Sequence, residues 1–143
     1  NQIVLEIQKY NLDCIAERAY SMGFVILQAC NKRYIRPYGK LMQHQMSYGV
    51  ANEKAKVESY VNFVDQMNEI LVSMQADKIK MSNQVFKEKT YNEWWMFGKY
   101  AIENNCADEI VHVSCNDKLT KQNETQEYSI YEITNRTREQ KPL

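Results

Sequence analysis

Two histidines, His44 and His112, are all the imidazole this chain carries, so the search for a general base is short. A serine hydroxyl attacks a carbonyl only when a base removes its proton and donors steady the oxyanion that forms. Ser21 has surroundings suited to that task. It stands in Ala19-Tyr20-Ser21-Met22-Gly23, between a strand-like stretch and the apolar run 24–30. Periodicity alone allows that run to be strand or helix. If it is a helix, Ser21 lies at its N-terminus, where free backbone N–H groups and the positive helix end favour a developing negative charge. His44 falls in Leu41-Met42-Gln43-His44-Gln45, a strand-like segment that could aim its ring from a strand end into a cleft. The plain alternative is a helix-capping serine and a histidine whose hydrogen bonds are met within the sheet. Spacing does not separate the two.

The elements that must position these groups follow from the pattern of apolar residues. Ile3, Val4 and Ile7 fall at helical spacing and predict a short helix over 1–10. Residues 12–16 read as a strand, 31–33 as a turn, 34–37 as a strand, 38–40 as a turn and 41–45 as a further strand. Val57, Tyr60, Val61, Val64, Met67 and Leu71 recur three and four apart, which predicts one long helix over 51–76. A second helix is expected over 78–89. The stretch 92–104 reads as helical or turn-rich, with Trp94, Trp95, Met96 and Phe97 buried together as core. Residues 107–113 form a last expected strand, and His112 on it reads as structural. Strands interleaved with helices give an α/β domain, 1–115, with too few segments to close a full doubly wound sheet. A polar tail, 116–143, follows, with one strand expected over 127–133.

Composition narrows the function classes. The 143 residues suffice for one domain with a real core, and 44% of them are apolar. Eighteen basic residues against eighteen acidic ones leave no positive field, which argues against binding nucleic acid through phosphate contacts. No apolar run approaches the roughly 18 residues that cross a bilayer, and no export signal is visible at the N-terminus. The four cysteines, Cys14, Cys30, Cys106 and Cys115, include no C-x-x-C pair, so they read as reduced thiols of an intracellular, cytoplasmic protein rather than metal ligands. The sequons at Asn123 and Asn135 sit in the polar tail and read as chance matches. Only four glycines and two prolines, with a start at Asn1 that runs straight into a helical pattern, lead us to expect a preceding segment.

At Ser21 and His44 a family resemblance enters. Ala19-Tyr20-Ser21-Met22-Gly23, an apolar segment, Asn31-Lys32-Arg33-Tyr34-Ile35-Arg36-Pro37 and then Met42-Gln43-His44 resemble, in that order, the core of the ClpP-type serine peptidases. Ala101-Ile102-Glu103-Asn104-Asn105-Cys106-Ala107-Asp108-Glu109-Ile110-Val111 resembles the motif that closes the same fold. The likeness covers roughly residues 12–112. It implies a ClpP/crotonase-like α/β fold, here its C-terminal portion and incomplete at the N-terminus, with 51–76 as the handle helix that interlocks subunits of facing rings.

It also implies a serine-type endopeptidase with Ser21 as nucleophile, His44 as general base and the backbone N–H of Met22 as one oxyanion donor. The second donor would come from a glycine-rich loop earlier in the chain, so a chain beginning at Asn1 is expected to be inactive alone. The family places its third triad residue after the handle helix. Glu88 is favoured for that place, with Ser82 and Asn83 as alternatives. No metal or cofactor is implied. The implied partners are a peptide or unfolded protein substrate, further copies of the chain in a homo-oligomeric ring, and an ATP-dependent unfoldase. Three positions depart from the family pattern. Glu17 stands where a glycine is usual, Tyr20 where a small residue is, and Asn105 replaces the closing glycine. These departures favour a rival reading, a catalytically inactive structural subunit of a ring. A crotonase-like acyl-CoA module shares the fold but has no use for Ser21 and His44, and a signal-peptide-peptidase relative would use lysine as base.

Overall fold

The computed structural model describes residues 1–116, and Asn1–His112 hold together as one unit. The elements run α1 (Gln2–Tyr10), β1 (Cys14–Tyr20), α2 (Met22–Ala29), β2 (Arg33–Gln43), α3 (Lys54–Ile79), α4 (Asn83–Thr90), β3 (Trp94–Phe97), α5 (Gly98–Glu103) and β4 (Glu109–Ile110). The fold is α/β, with β1 parallel to β2, β4 parallel to β2, and β3 antiparallel to it. The strand expected over 127–133 and the two sequons lie outside the described residues.

The parallel pairing settles what the run after Ser21 must be. Parallel neighbours cannot be joined by a tight hairpin; the chain has to cross back, as a helix does. The segment Met22–Ala29 is therefore helix, and it is apolar nearly all round because it is buried, with Phe24, Val25, Leu27 and Gln28 all inside. Phe24 and Leu27 share one core cluster with Val72, Ala76 and Ile79 of α3, and Ile35, Leu41, Phe86, Met96 and Ala101 are among its other members.

Several boundaries differ from expectation, each for a reason. The two strands expected over 34–37 and 41–45 are one strand, β2, interrupted by an excursion. Ala16 and Arg18 on β1 face Ile35 and Lys40 on β2, so the chain between the latter two must bulge outward. Two glycines permit it: a Cβ on Gly39 would lie 2.6 Å from Ile35 Cγ1, and Gly98, at φ +44, would set one 2.7 Å from the Pro37 carbonyl oxygen. Beyond the excursion Met42 comes level with Tyr20, and the Ser21 N–H donates to the Met42 carbonyl at 2.9 Å.

The Trp-Trp-Met-Phe run is not one buried cluster in a helix. It is strand β3, with Trp94 and Met96 inside and Trp95 and Phe97 exposed, the period-two alternation of an extended chain. The last strand is only Glu109–Ile110. The second helix starts later than expected, at Asn83, because α3 runs on to Ile79 and stops at Lys80 in the left-handed region, φ 64. On α3 the buried residues are Val64, Val72, Gln75, Ala76 and Ile79, concentrated in its C-terminal half. Met67, one of the apolar residues whose spacing marks the helix, is exposed together with Tyr60, Phe63 and Ile70.

The cysteine expectation is also corrected. Cys14 opens β1 and Cys30 stands just past α2; strand up and helix back bring them side by side, Cα atoms 5.9 Å apart, and they form a disulfide. Spacing along the chain hides a pair that meets only through the turn at Ser21. Free thiols therefore no longer argue for a reducing compartment. Cys106 is fully buried, and burial pushes its thiol up to about 12, so it stays protonated and unreactive. Closing a loop of this length is worth about 3 kcal/mol in the chain-entropy model. Cys14→Ser is expected to lower stability by about that much, and reducing the native chain to bring its urea midpoint down to the variant's. A midpoint insensitive to reductant would mean the bond is not made. Among the described residues, no helix is long and apolar enough to cross a membrane.

Arg33 ties the far end of the sheet together. Its side chain is 2% exposed. The guanidinium donates to Asp108 through Nε (3.1 Å) and Nη2 (2.6 Å), and through Nη1 to Gln28 Oε1 (2.6 Å) and the Asn105 carbonyl (2.8 Å). This pairing holds the Asp108 carboxyl below the usual carboxylate range, chiefly by the Arg33 side-chain hydrogen bond. Arg33→Met leaves those acceptors without their donor and is expected to cost about 3 kcal/mol at neutral pH. Because the folded-state pKa of Asp108 is the lower one, its contribution is complete above the ordinary carboxylate pKa, roughly 4, and fades as pH falls through the folded value. Denaturation midpoints at pH 7 and pH 3 should therefore converge for wild type and variant as the solution is acidified. A constant gap would refute the assignment.

Candidate active site

Ser21 occupies the single residue between the end of β1 and the start of α2, at φ 53 and ψ −113. For a residue bearing a Cβ this backbone costs about 1–3 kcal/mol, sustained only when the flanking elements dictate it. Here β1 and the buried α2 leave one residue for the reversal. The position is the N-cap of α2, yet the serine side chain makes no capping hydrogen bond. Its Oγ lies instead 2.9 Å from Nε2 of His44. The plain alternative of a capping serine thus does not describe the residue.

His44 follows immediately after β2. Its backbone N–H donates to Oε1 of Gln43 at 3.0 Å, and the next amide, Gln45 N–H, donates to the Thr90 carbonyl at 2.6 Å. Both Ser21 and His44 are partly exposed, so a substrate can reach them. With a proton on Nδ1, the Nε2 lone pair is free to accept from the Ser21 hydroxyl. Met22 is the first residue of α2, where backbone N–H groups lack an intrahelical acceptor.

A cleft of about 420 Å³ opens beside the pair. Met22 and Val25 of α2, Leu71 and Val72 of α3, and Phe86 of α4 give it apolar walls, with Gln43, Gln75 and Thr90 among its polar groups. Lys87 also lines it, but its ammonium is paired with Glu69, so no lone cation is presented there. Of the two methionines near His44, Met46 lines the cleft, whereas Met42 stands in a row across the sheet with Tyr20 and Trp95. The bulky Tyr20 packs sideways, its ring edge against Trp95 at 5.3 Å between centroids.

The three residues considered for the third triad position do not meet His44. Glu88 is exposed on α4 and accepts from Gln84 Nε2 at 2.8 Å. Ser82 caps α4 through Val85 N–H, and Asn83 Nδ2 donates to Ser73 Oγ. A carboxylate that sequence reasoning passed over stands closer in topology. The antiparallel β2–β3 ladder ends at the Gln43–Trp94 pair, so Glu93 and His44 are the residues just past its last rung, before the Gln45 N–H turns to the Thr90 carbonyl. Glu93 Oε2 accepts from the Trp95 indole N–H at 2.9 Å. Recognising 94–97 as a strand would have drawn attention to the carboxylate at its entrance. Among the described residues no group of three or more His, Cys, Asp or Glu side chains could hold a metal ion.

A sequence model of the Clp protease family matches residues 12–114, a span that begins before β1, takes in Ser21, the cleft, His44 and the long helix, and ends past β4. A match over most of the chain, on a mixed sheet whose parallel β1–β2 crossover starts at a strained serine, leads to one assignment: the chain belongs to the Clp protease family.

Proposed function

We propose that this chain is a serine-type peptide hydrolase in which Ser21 is the nucleophile and His44 the general base. The observation that carries the reading is the 2.9 Å approach of Ser21 Oγ to His44 Nε2, made by a serine that gives up helix capping to do so. His44 takes the hydroxyl proton as Oγ attacks the peptide carbonyl, and the Met22 N–H steadies the oxyanion. The imidazolium then passes that proton to the departing amine, leaving an acyl-serine. Water, deprotonated by the same Nε2, releases the carboxylic acid product. Glu93, turning from Trp95 to His44 Nδ1–H, is the carboxylate we assign to orient the ring, in preference to Glu88.

The wider reading follows the family. Substrates are peptides or unfolded proteins, and the chain works in a homo-oligomeric ring of ClpP/crotonase-like subunits fed by an ATP-dependent unfoldase. The exposed apolar residues along α3, Tyr60, Phe63, Met67 and Ile70, support its use as a handle between copies. A preceding segment would bring the second oxyanion donor.

One observation favours a second reading, an inactive structural subunit: among the described residues no carboxylate hydrogen-bonds His44, and that of Glu93 is engaged by Trp95. A fluorophosphonate probe separates the two. Covalent modification of Ser21 in the assembled full-length protein, mapped by peptide mass, supports the hydrolase. An assembled, folded protein that takes no label is the structural subunit.

A further inference from the structure

Behind His44 lies a pair of buried amides that the hydrolytic scheme does not use. Gln43 and Gln75 are 4% and 3% exposed, one on the inward face of β2 and the other on α3. They form a chain with one direction. The His44 backbone N–H donates to Gln43 Oε1 at 3.0 Å, Gln43 Nε2 donates to Gln75 Oε1 at 2.5 Å, and Gln75 Nε2 donates to the Leu71 carbonyl at 2.8 Å. The ends fix the sense. A backbone N–H can only donate and a carbonyl can only accept, so neither amide can flip without setting like groups face to face. No buried side-chain nitrogen or oxygen among the described residues is left without a partner.

The location gives the chain its consequence. The β2–β3 ladder ends at the Gln43–Trp94 pair, so His44 is the first residue beyond it. Its N–H is no longer held by a strand partner; it is held by Gln43, and through Gln43 by α3. We propose that Gln43 and Gln75 are positioning residues that set the placement of His44 relative to Ser21 from the long helix. The inference rests on the hydrolase reading for its effect on rate, but the amide chain itself can be tested without it. A shift of α3 along its axis would drag Gln75, then Gln43, then the histidine backbone. The apolar alternative at these two sites would pack as well and transmit nothing.

The test uses Gln75→Met in the full-length assembled protein, with two readouts. Hydrogen–deuterium exchange at the His44 amide, resolved by fragmentation mass spectrometry, is expected to speed up by at least about tenfold as the chain loses its anchor. Fluorophosphonate labelling of Ser21 at saturating probe is expected to slow by about 10- to 100-fold, with the half-saturating probe concentration unchanged, since geometry and not binding is altered. Adding Gln43→Met should cost no further labelling rate, because both changes cut one chain. Should Gln75→Met fail to fold, the double variant leaves no buried side-chain amide unpaired and carries the same two readouts. Unchanged His44 exchange in a folded variant, or additive losses in the double variant, overturns the proposal. If wild type takes no label at all, the hydrolase reading fails, and the exchange result still decides whether the amides hold His44.

Discussion

Ser21→Ala is expected to abolish fluorophosphonate labelling and to lower peptide hydrolysis by the assembled protein about 10⁶-fold, with His44→Ala close to the same loss. The size follows from what each group does. Without the hydroxyl no acyl-serine forms; without the imidazole the hydroxyl keeps its proton near neutral pH and is a poor nucleophile. Because both removals disable one step, the double variant should be no slower than either single one. Ser21→Ala should leave tolerance of heat or urea nearly unchanged, since alanine at φ 53 meets the same backbone strain and the part-buried Oγ–Nε2 contact is a modest loss. The decisive comparison is between hydrolysis and folding. Loss of hydrolysis with an unchanged midpoint assigns the chemistry to these atoms. A variant that retains hydrolysis would move the nucleophile elsewhere.

The second large effect concerns the acid. Glu93→Gln is expected to slow hydrolysis about 10⁴-fold, the loss seen when an amide replaces the orienting carboxylate and fixes the wrong imidazole tautomer. Glu88→Gln should change the rate less than about twofold, in line with a small effect for an exposed side chain bonded only to Gln84. Trp95→Phe adds a third arm. Removing the indole N–H frees Glu93 from its present donor, so the rate should hold or rise. If Glu88→Gln is the crippling change and Glu93→Gln is silent, Glu88 and not Glu93 orients the ring.

How far the sequence leads depends on whether a feature is local. The first helix is written in Ile3, Val4 and Ile7, and the turn at Ser21 in the junction of two apolar runs. With only two histidines in the chain, the partner of that serine is also within reach. What escapes is set by pairing between distant segments. The excursion of β2 between Ile35 and Lys40 exists because β1 has fewer residues to set against it, a relation that neither strand reveals alone. Trp94 to Phe97 are all apolar, so no alternation is visible until the sheet buries two and exposes two. Glu93 is hidden with it, since its place just past the Gln43–Trp94 rung is a matter of pairing. The amide chain is hidden for the same reason, since Gln75 reads as one more polar residue on a helix. Cys14 and Cys30 meet only once the intervening helix folds back.

That sulfur bridge has a mechanical consequence. With a separation of 16 residues and Cα atoms 5.9 Å apart, the link short-circuits the loop that carries the serine. Tension applied along the polypeptide travels through the bridge and bypasses the tip, and about 50 Å of contour length stays locked away. Should a threading motor ever pull on this chain from either end, the turn at Ser21 would be the part that feels no load.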